Sequence, residues 1–273
     1  MTSVTTQPGT AESTVLSRRD RLRTELVDQI KTTARAQLAA KGPSGVSWRG
    51  IAREVGVSPA ALYTYFESLD DLYTALITDS FLSLADAVRN SIELYADHNV
   101  SNRLTAGIAG YREWSLRFSE EFRLIFQSEI PGYEAPEGGA TVSANLQSSA
   151  QFLALLVEGW HTGELSQPGA GVPVDPAKMN EKFGINLTPD QMRVALTAWG
   201  TFHGIVQLEV NDHVESHWVD NDQLFMAVIQ ELGSSCGVHH AGPEVFETVR
   251  KFFDDQWPGA PRRESQPCAE WTS

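Results

Sequence analysis

Apolar residues recur along this chain at helical spacing. Leu22, Leu26, Ile30, Ala34 and Leu38 stand four apart, one stripe of an amphipathic helix. Gly42, Pro43 and Gly45 end it. Two short helical segments come next, at 48–55 and 59–66. A long helix is predicted over 68–95; the Ser68 hydroxyl caps it, and Asp70 and Asp71 lie on its positive end. Further helices are predicted at 101–118, 119–128, 140–161, 189–212, 221–232 and 243–256, separated by turn clusters at Pro131-Gly132, Glu137-Gly138-Gly139 and 233–237. The Gly- and Pro-rich stretch 162–187 reads as a long loop. No run shows the period of two that a half-buried strand requires, and no internal repeat stands out. The pattern therefore gives an all-α fold. A three-helix N-terminal domain over 17–67 precedes a larger helical domain over 68–257, with disordered tails expected at 1–16 and 258–273.

Within the first domain, residues 48–66 have the spacing of a helix-turn-helix. Ile51, Ala52 and Val55 form the buried face of its first helix, and Ala52 is small where a second helix crosses. Gly56 follows the helix end, where a left-handed conformation costs a glycine little. Val57 plugs the corner, Ser58 is an N-cap and Pro59 fits the first helical position. Leu62 and Phe66 face back into the core. In such a unit the second helix enters a DNA major groove. Its outward residues here are Ala60, Ala61, Tyr63, Thr64 and Tyr65. Their methyls suit thymine and their hydroxyls suit phosphate. Tyr63 and Tyr65 read equally well, taken alone, as packing aromatics.

Charge changes this picture less than its total suggests. The formal net charge is -14, which by itself argues against nucleic acid. Yet residues 17–70 carry nine Lys/Arg against six Asp/Glu, so the locally basic segment is the one holding the helix-turn-helix. Length sets a second bound, since 273 residues can bury a core without disulfides or metal. Cys236 and Cys268 are too few for a disulfide scaffold or a four-cysteine zinc site. No apolar run approaches a membrane span of about 18 residues, and the N-terminus shows no secretory h-region. A cytoplasmic protein without membrane contact is expected.

The segment 38–72 resembles the DNA-binding domain of TetR-type transcriptional regulators. The resemblance rests on Ile51-Ala52, Val55-Gly56-Val57-Ser58, Leu62-Tyr63-Thr64-Tyr65-Phe66 and the closing Asp71-Leu72. It implies that Ser47 touches phosphate, that Tyr63 and Tyr65 touch the DNA backbone, and that base contacts come from Pro59, Ala60, Ala61 and Thr64. Ser58 and Arg49 complete the expected DNA-binding set. One position departs from the family, which commonly has lysine where this chain has Leu69. The loss of one phosphate contact flattens the salt dependence by about one unit of slope. Arg49, Arg53 or the Arg18-Arg19-Asp20-Arg21 arm offers compensation; the arm reads equally as a solvated helix start.

Beyond 72, two stretches are similar to a C-terminal subtype of the family whose signature is a Trp and a His-Gly on a late helix. Trp199-Gly-Thr-Phe-His203-Gly204 with Leu208 and Glu209 fits that signature. Tyr111-Arg112, Trp114, 122–126 and 130–133 fit its earlier half. Together the resemblance spans residues 20–235 and implies a ligand pocket. Trp114 and Phe118, Phe122 and Phe126, and Leu156 and Trp160 are each four apart and share helix faces. With Phe152, Trp199 and His203 they form the candidate ligand-binding set; filling a core is the competing reading. Arg112, Arg117 and Arg123 are read as surface ion-pair formers, with an acidic ligand as the other option. Gly200 and Gly204 make a smooth helix face, for a dimer interface or for tight packing inside one subunit.

Metal and enzyme chemistry find little support. His213 and His217, and Cys236 and His240, are four apart, but convergence of three or four ligands is not visible in a sequence. No metal and no cofactor are expected. Nucleophile-elbow, phosphate-loop, zinc-protease and C-x-x-C motifs are absent. The reading is a homodimeric, ligand-responsive transcriptional regulator, a repressor released from double-stranded operator DNA by a small, largely apolar or aromatic molecule. The alternative is a small-molecule binding protein that has lost specific DNA binding. An enzyme using the aromatic pocket is a weaker third.

Overall fold

The computed structural model describes residues 17–42, 45–127, 130–136, 138–214, 219–238 and 242–262. Among them every regular element is a helix, as the pattern predicts. The chain divides into two compact units between Leu72 and Tyr73.

The first unit contains α1 (Arg18–Lys41), α2 (Trp48–Val55) and α3 (Pro59–Leu62), and α4 (Leu69–Glu93) begins in it. Its core is Ile30 and Ala34 from α1, Ile51 and Ala52 from α2, and Leu62 from α3. Ser17 caps α1 by accepting from the Asp20 N–H. Ser68 does the same for the Asp71 N–H ahead of α4. The predicted helix at 59–66 is shorter than its pattern. α3 is one α-turn ending at Leu62, and the chain continues through 63–65 in tighter turns, with Thr64 N–H bonded to the Ala61 carbonyl and Tyr65 N–H to the Leu62 carbonyl. Three-residue hydrogen bonds of this kind commonly finish short helices.

The second unit carries the rest of α4, then α5 (Val100–Arg117), α6 (Ser119–Phe126), α7 (Ala140–Thr162), α8 (Ala177–Phe183), α9 (Pro189–Val210), α10 (Asn221–Cys236) and α11 (Glu244–Gln256). α5 is its centre. From Leu104 to Leu116 this helix is buried almost all round, and it packs on α7, α9 and α11. Gly110 permits the crossing with α4, since a side chain there would collide with Ser91. Phe118 leaves helical geometry and separates α5 from α6. Thr188 and Gln191 form a capping box at α9, where Pro189 holds the first position. No helix among the described residues is long and apolar enough to cross a membrane.

Three expectations change in this unit. The stretch 162–187 contains α8, clipped to the residue ahead of the α9 cap by Asn180, whose amide donates to the Leu187 carbonyl and accepts from the Leu187 N–H. α10 runs past Gly233 to Cys236, and Gly237, in the left-handed conformation, ends it. Residues 258–262 are held in place: the Ala260 carbonyl accepts from Arg117, and Arg262 pairs with Asp222. The tails expected at 1–16 and 263–273 lie outside the described residues.

Candidate DNA-binding and effector sites

The helix-turn-helix is fixed by a buried amide. Gln37 on α1 is 5% exposed. Its Oε1 accepts from the Ser47 N–H at 3.3 Å and its Nε2 donates to Glu54 Oε1 at 3.0 Å, so it ties both ends of α2 to α1. Gly50 leaves room for it, because a side chain there would press on Gln37. The Ser47 hydroxyl accepts from the Gly50 N–H and opens α2. Gly56 closes it at φ 80°. Ser58 accepts from the Ala61 N–H and opens α3.

This arrangement leaves Ser47, Arg49, Ser58, Pro59, Ala60, Tyr63 and Thr64 exposed, with Ala61 and Tyr65 partly covered. Tyr63 is 54% exposed and leans on Trp48, ring centres 5.6 Å apart. The Arg23 guanidinium lies 5.2 Å from the centre of the Tyr65 ring and donates to the Thr64 carbonyl at 3.4 Å. Arg23 and Gln37 are the supports that sequence reading missed. Their spacing from the motif carries no local signal, since each acts on residues far along the chain.

The second unit contains a cavity of about 620 Å³, partly open to solvent, within the range of small-molecule sites. α5 contributes Leu104 and Ile108, α7 Phe152 and Leu156, and α9 Met192, Trp199 and Phe202. Met226 of α10, Met179 of α8 and Phe246 of α11 complete its apolar wall. The polar side chains on it are Thr105, Ser149, Gln223 and Gln230; none of the described lining residues carries a charge. The Thr105 hydroxyl is already bonded to the Ser101 carbonyl.

Behind Trp199 and Phe202 lies an aromatic cluster. The Tyr111 hydroxyl is 2.7 Å from His203 Nδ1, and His203 stacks on Trp199 with ring centres 4.9 Å apart. Phe126 packs against His203, Tyr111 and, on α4, Phe81. Burial lowers the His203 pKa and raises that of Tyr111 well above its usual value. Burial thus favours the neutral form of both groups, and one hydrogen bond joins them.

The arginines of α5 are committed elsewhere. Arg112, 2% exposed, makes a bidentate pair with Glu209 at 2.8 and 2.6 Å and reaches Asp222 at 2.8 Å. Its guanidinium lies 4.4 Å from the Phe225 ring centre. Asp222 also receives Arg250 at 2.7 Å and Arg262 at 2.6 Å. Burial alone would raise the Asp222 carboxyl, but the Arg262 hydrogen bond and the charges of Arg262, Arg112 and Arg250 hold it far below the usual carboxylate range. Arg117 pairs with Glu113 and Asp254. The surface ion pairs expected of Arg112 and Arg117 are therefore buried ones, because α9, α10 and α11 close over α5. Arg123, more exposed, pairs with Glu120 and donates to the Val210 carbonyl.

Comparison with known proteins bears on both units. Residues 30–76 match the family described as bacterial regulatory proteins, tetR family, and residues 104–232 match the tetracyclin repressor-like C-terminal domain. The chain belongs to the TetR family. It is a transcriptional regulator of that family. It is 29% identical to the HTH-type transcriptional regulator Rv1816 of Mycobacterium tuberculosis (strain ATCC 25618 / H37Rv) over 71% of this chain and 83% of that protein. The regulatory protein SCO4313 is 27% identical, with a TM-score of 0.64, covering 79% of this chain and 98% of that one. FadR of Bacillus subtilis, solved in complex with stearoyl-CoA, shares the fold at 18% identity and a TM-score of 0.55, covering 76% and 98%.

Within this TetR-family fold, the residues read as ligand-binding separate into two groups. Phe152, Leu156 and Trp199 line the cavity. Trp114, Phe118, Phe122, Phe126, Trp160 and His203 do not: Trp114 and Phe122 are fully buried, and Trp114 donates to Ser83 at 3.0 Å. Phe122, Phe126 and His203 belong to the aromatic cluster behind the wall, Phe118 packs on Trp114 and Trp257, and Trp160 is buried on α7. The lining methionines and Phe246 were missed, since nothing in a helical period distinguishes a cavity position from a core one. Among the described residues, Gly200 and Gly204 meet nothing within 4 Å of an added side chain, so no described neighbour in this subunit needs them for close packing. Of the histidine pairs, His213 is exposed, while His217 and His240 lie outside the described residues. Among the described residues no three potential metal ligands gather.

Proposed function

We propose that this TetR-family regulator is a repressor that binds operator DNA as a homodimer and leaves it when a small, uncharged, largely apolar molecule fills the cavity. The observation that carries the reading is one chain holding both a braced, exposed helix-turn-helix and an apolar cavity. Among the described residues the cavity wall offers no cation to a carboxylate or phosphate, and Arg112 and Arg117 are held by Glu209, Asp222, Glu113 and Asp254. That is the support for an uncharged ligand. At the other site, Ser47, Arg49, Ser58 and Tyr63 meet phosphate, and Pro59, Ala60, Ala61 and Thr64 meet base edges. Tyr65 is braced by Arg23 and reaches the backbone.

The dimer reading rests on α9, where Leu196, Gly200, Gly204 and Leu208 follow at four-residue steps and both leucines are exposed. Two-fold symmetry then sets the recognition helices about 34–36 Å apart. Release is a coupling of two equilibria; about 1–3 kcal/mol weakens operator binding roughly 5- to 150-fold. The test is fluorescence anisotropy with promoter DNA next to the protein's own gene, at two salt concentrations. Salt-sensitive, sequence-dependent binding that Tyr63→Ala weakens about tenfold, the worth of one hydrogen bond to a charged group, is the expected result. Absence of binding to every genomic fragment would instead favour a ligand-binding protein without DNA binding.

A further inference from the structure

The C-terminal family domain matches as far as residue 232, yet the cavity does not end there. Gly242, Pro243 and Phe246 also line it, so part of the wall is supplied by α11. α11 is firmly seated. Val245, Val249 and Phe253 are fully buried, and the helix packs along α5. Two further contacts fix its register against α10. The Phe246 ring meets Phe225 edge to face, centres 6.0 Å apart at 89°. One turn along on both helices, Arg250 donates to Asp222 at 2.7 Å. Phe225 in turn lies under Arg112, and Arg262 holds the other oxygen of Asp222.

We propose that α11 is the specificity-determining wall of the effector cavity: Phe246 sets the length of ligand admitted, and Arg250, through Asp222, is its positioning residue. The inference rests on the effector reading given above and adds which residues choose among ligands. Phe246 is the aromatic that this extension places on the wall; Phe225, which it meets, is fully buried under Arg112, itself held by Glu209 and Asp222, so Phe225 cannot give way. A longer apolar ligand therefore meets the ring rather than displacing it. Without the Arg250 link the ring keeps its chemistry but loses its fixed place.

The probe is N-phenyl-1-naphthylamine, a neutral apolar fluorophore, displaced by straight-chain 1-alkanols of increasing length. Affinity of the full-length protein should rise about fourfold per methylene buried and stop rising at a cut-off length. Phe246→Ala should move that cut-off to longer alkanols and Phe246→Trp to shorter ones. Arg250→Ala should blur the cut-off without moving it, and Arg250→Lys should restore it. Circular dichroism confirms that each variant is folded; if Phe246→Ala is not, Phe246→Trp decides. A cut-off unchanged in folded Phe246 variants would overturn the proposal while leaving the cavity reading intact. Failure of the wild type to take up the fluorophore would overturn the cavity reading itself, before any variant is compared.

Discussion

Glu209 and Arg112 show what a single buried residue controls in this fold. Both side chains are 3% exposed; Glu209 is paired by Arg112, which also reaches Asp222. Removing Arg112 strands the Glu209 charge, so Arg112→Ala is expected to cost about 3–5 kcal/mol, measured by urea denaturation. Two titrations belong to the same scale. The His203 pKa lies below its usual value, so the unfolded chain binds the proton more readily. The stability it contributes is complete above about pH 6.5 and falls as the pH drops below that. His203→Gln should remove this segment of the stability–pH curve. Asp222 has a depressed pKa, so its contribution is present above about pH 4 and is lost on further acidification. Asp222→Asn should flatten the acid limb in thermal melts taken between pH 2 and 5.

At the scale of the element, α2 and α3 were legible because their signals are local. Ser47, Gly56, Ser58 and Pro59 each act on backbone within three residues, and each has the conformation its type favours. Gly56 carries a direct consequence. At φ 80° a side chain is strained, so Gly56→Ala should lose about 1–2 kcal/mol of the first unit's stability, seen as earlier unfolding by tryptophan fluorescence of Trp48. The shortening of α3 was not legible, since Tyr63, Thr64 and Tyr65 have no helix-breaking residue among them. α8 was hidden by the Gly and Pro residues around it, though Asn180 clips it in place.

At the scale of the molecule, the exposed α9 face and the apolar cavity set the expectations. Gly204→Glu with Leu208→Glu, on the α9 face away from the cavity lining, should convert a dimer to a monomer in analytical ultracentrifugation, and operator affinity should fall with it. An unchanged sedimentation coefficient would remove α9 from the interface. The salt slope belongs here as well, because counterion release sums over every phosphate contact in the complex. Restoring the family's lysine as Leu69→Lys should steepen the slope by about one unit per subunit, read from anisotropy across a salt series.

The sequence by itself determined the all-α fold, the helix-turn-helix, its caps and the TetR resemblance. Each rests on periodicity or on residues a few positions apart. Tertiary structure alone decided which aromatics stand at the cavity and which stand behind it. Trp199 lines the wall and His203, one turn later on the same helix, is held behind it by Tyr111 from α5. It also decided that Arg112 is an internal clasp, that Gln37 braces the DNA-binding motif, and that α11 completes the cavity. Those outcomes depend on contacts between segments tens of residues apart. A pattern of apolar and polar positions states that a face is buried but does not name what covers it.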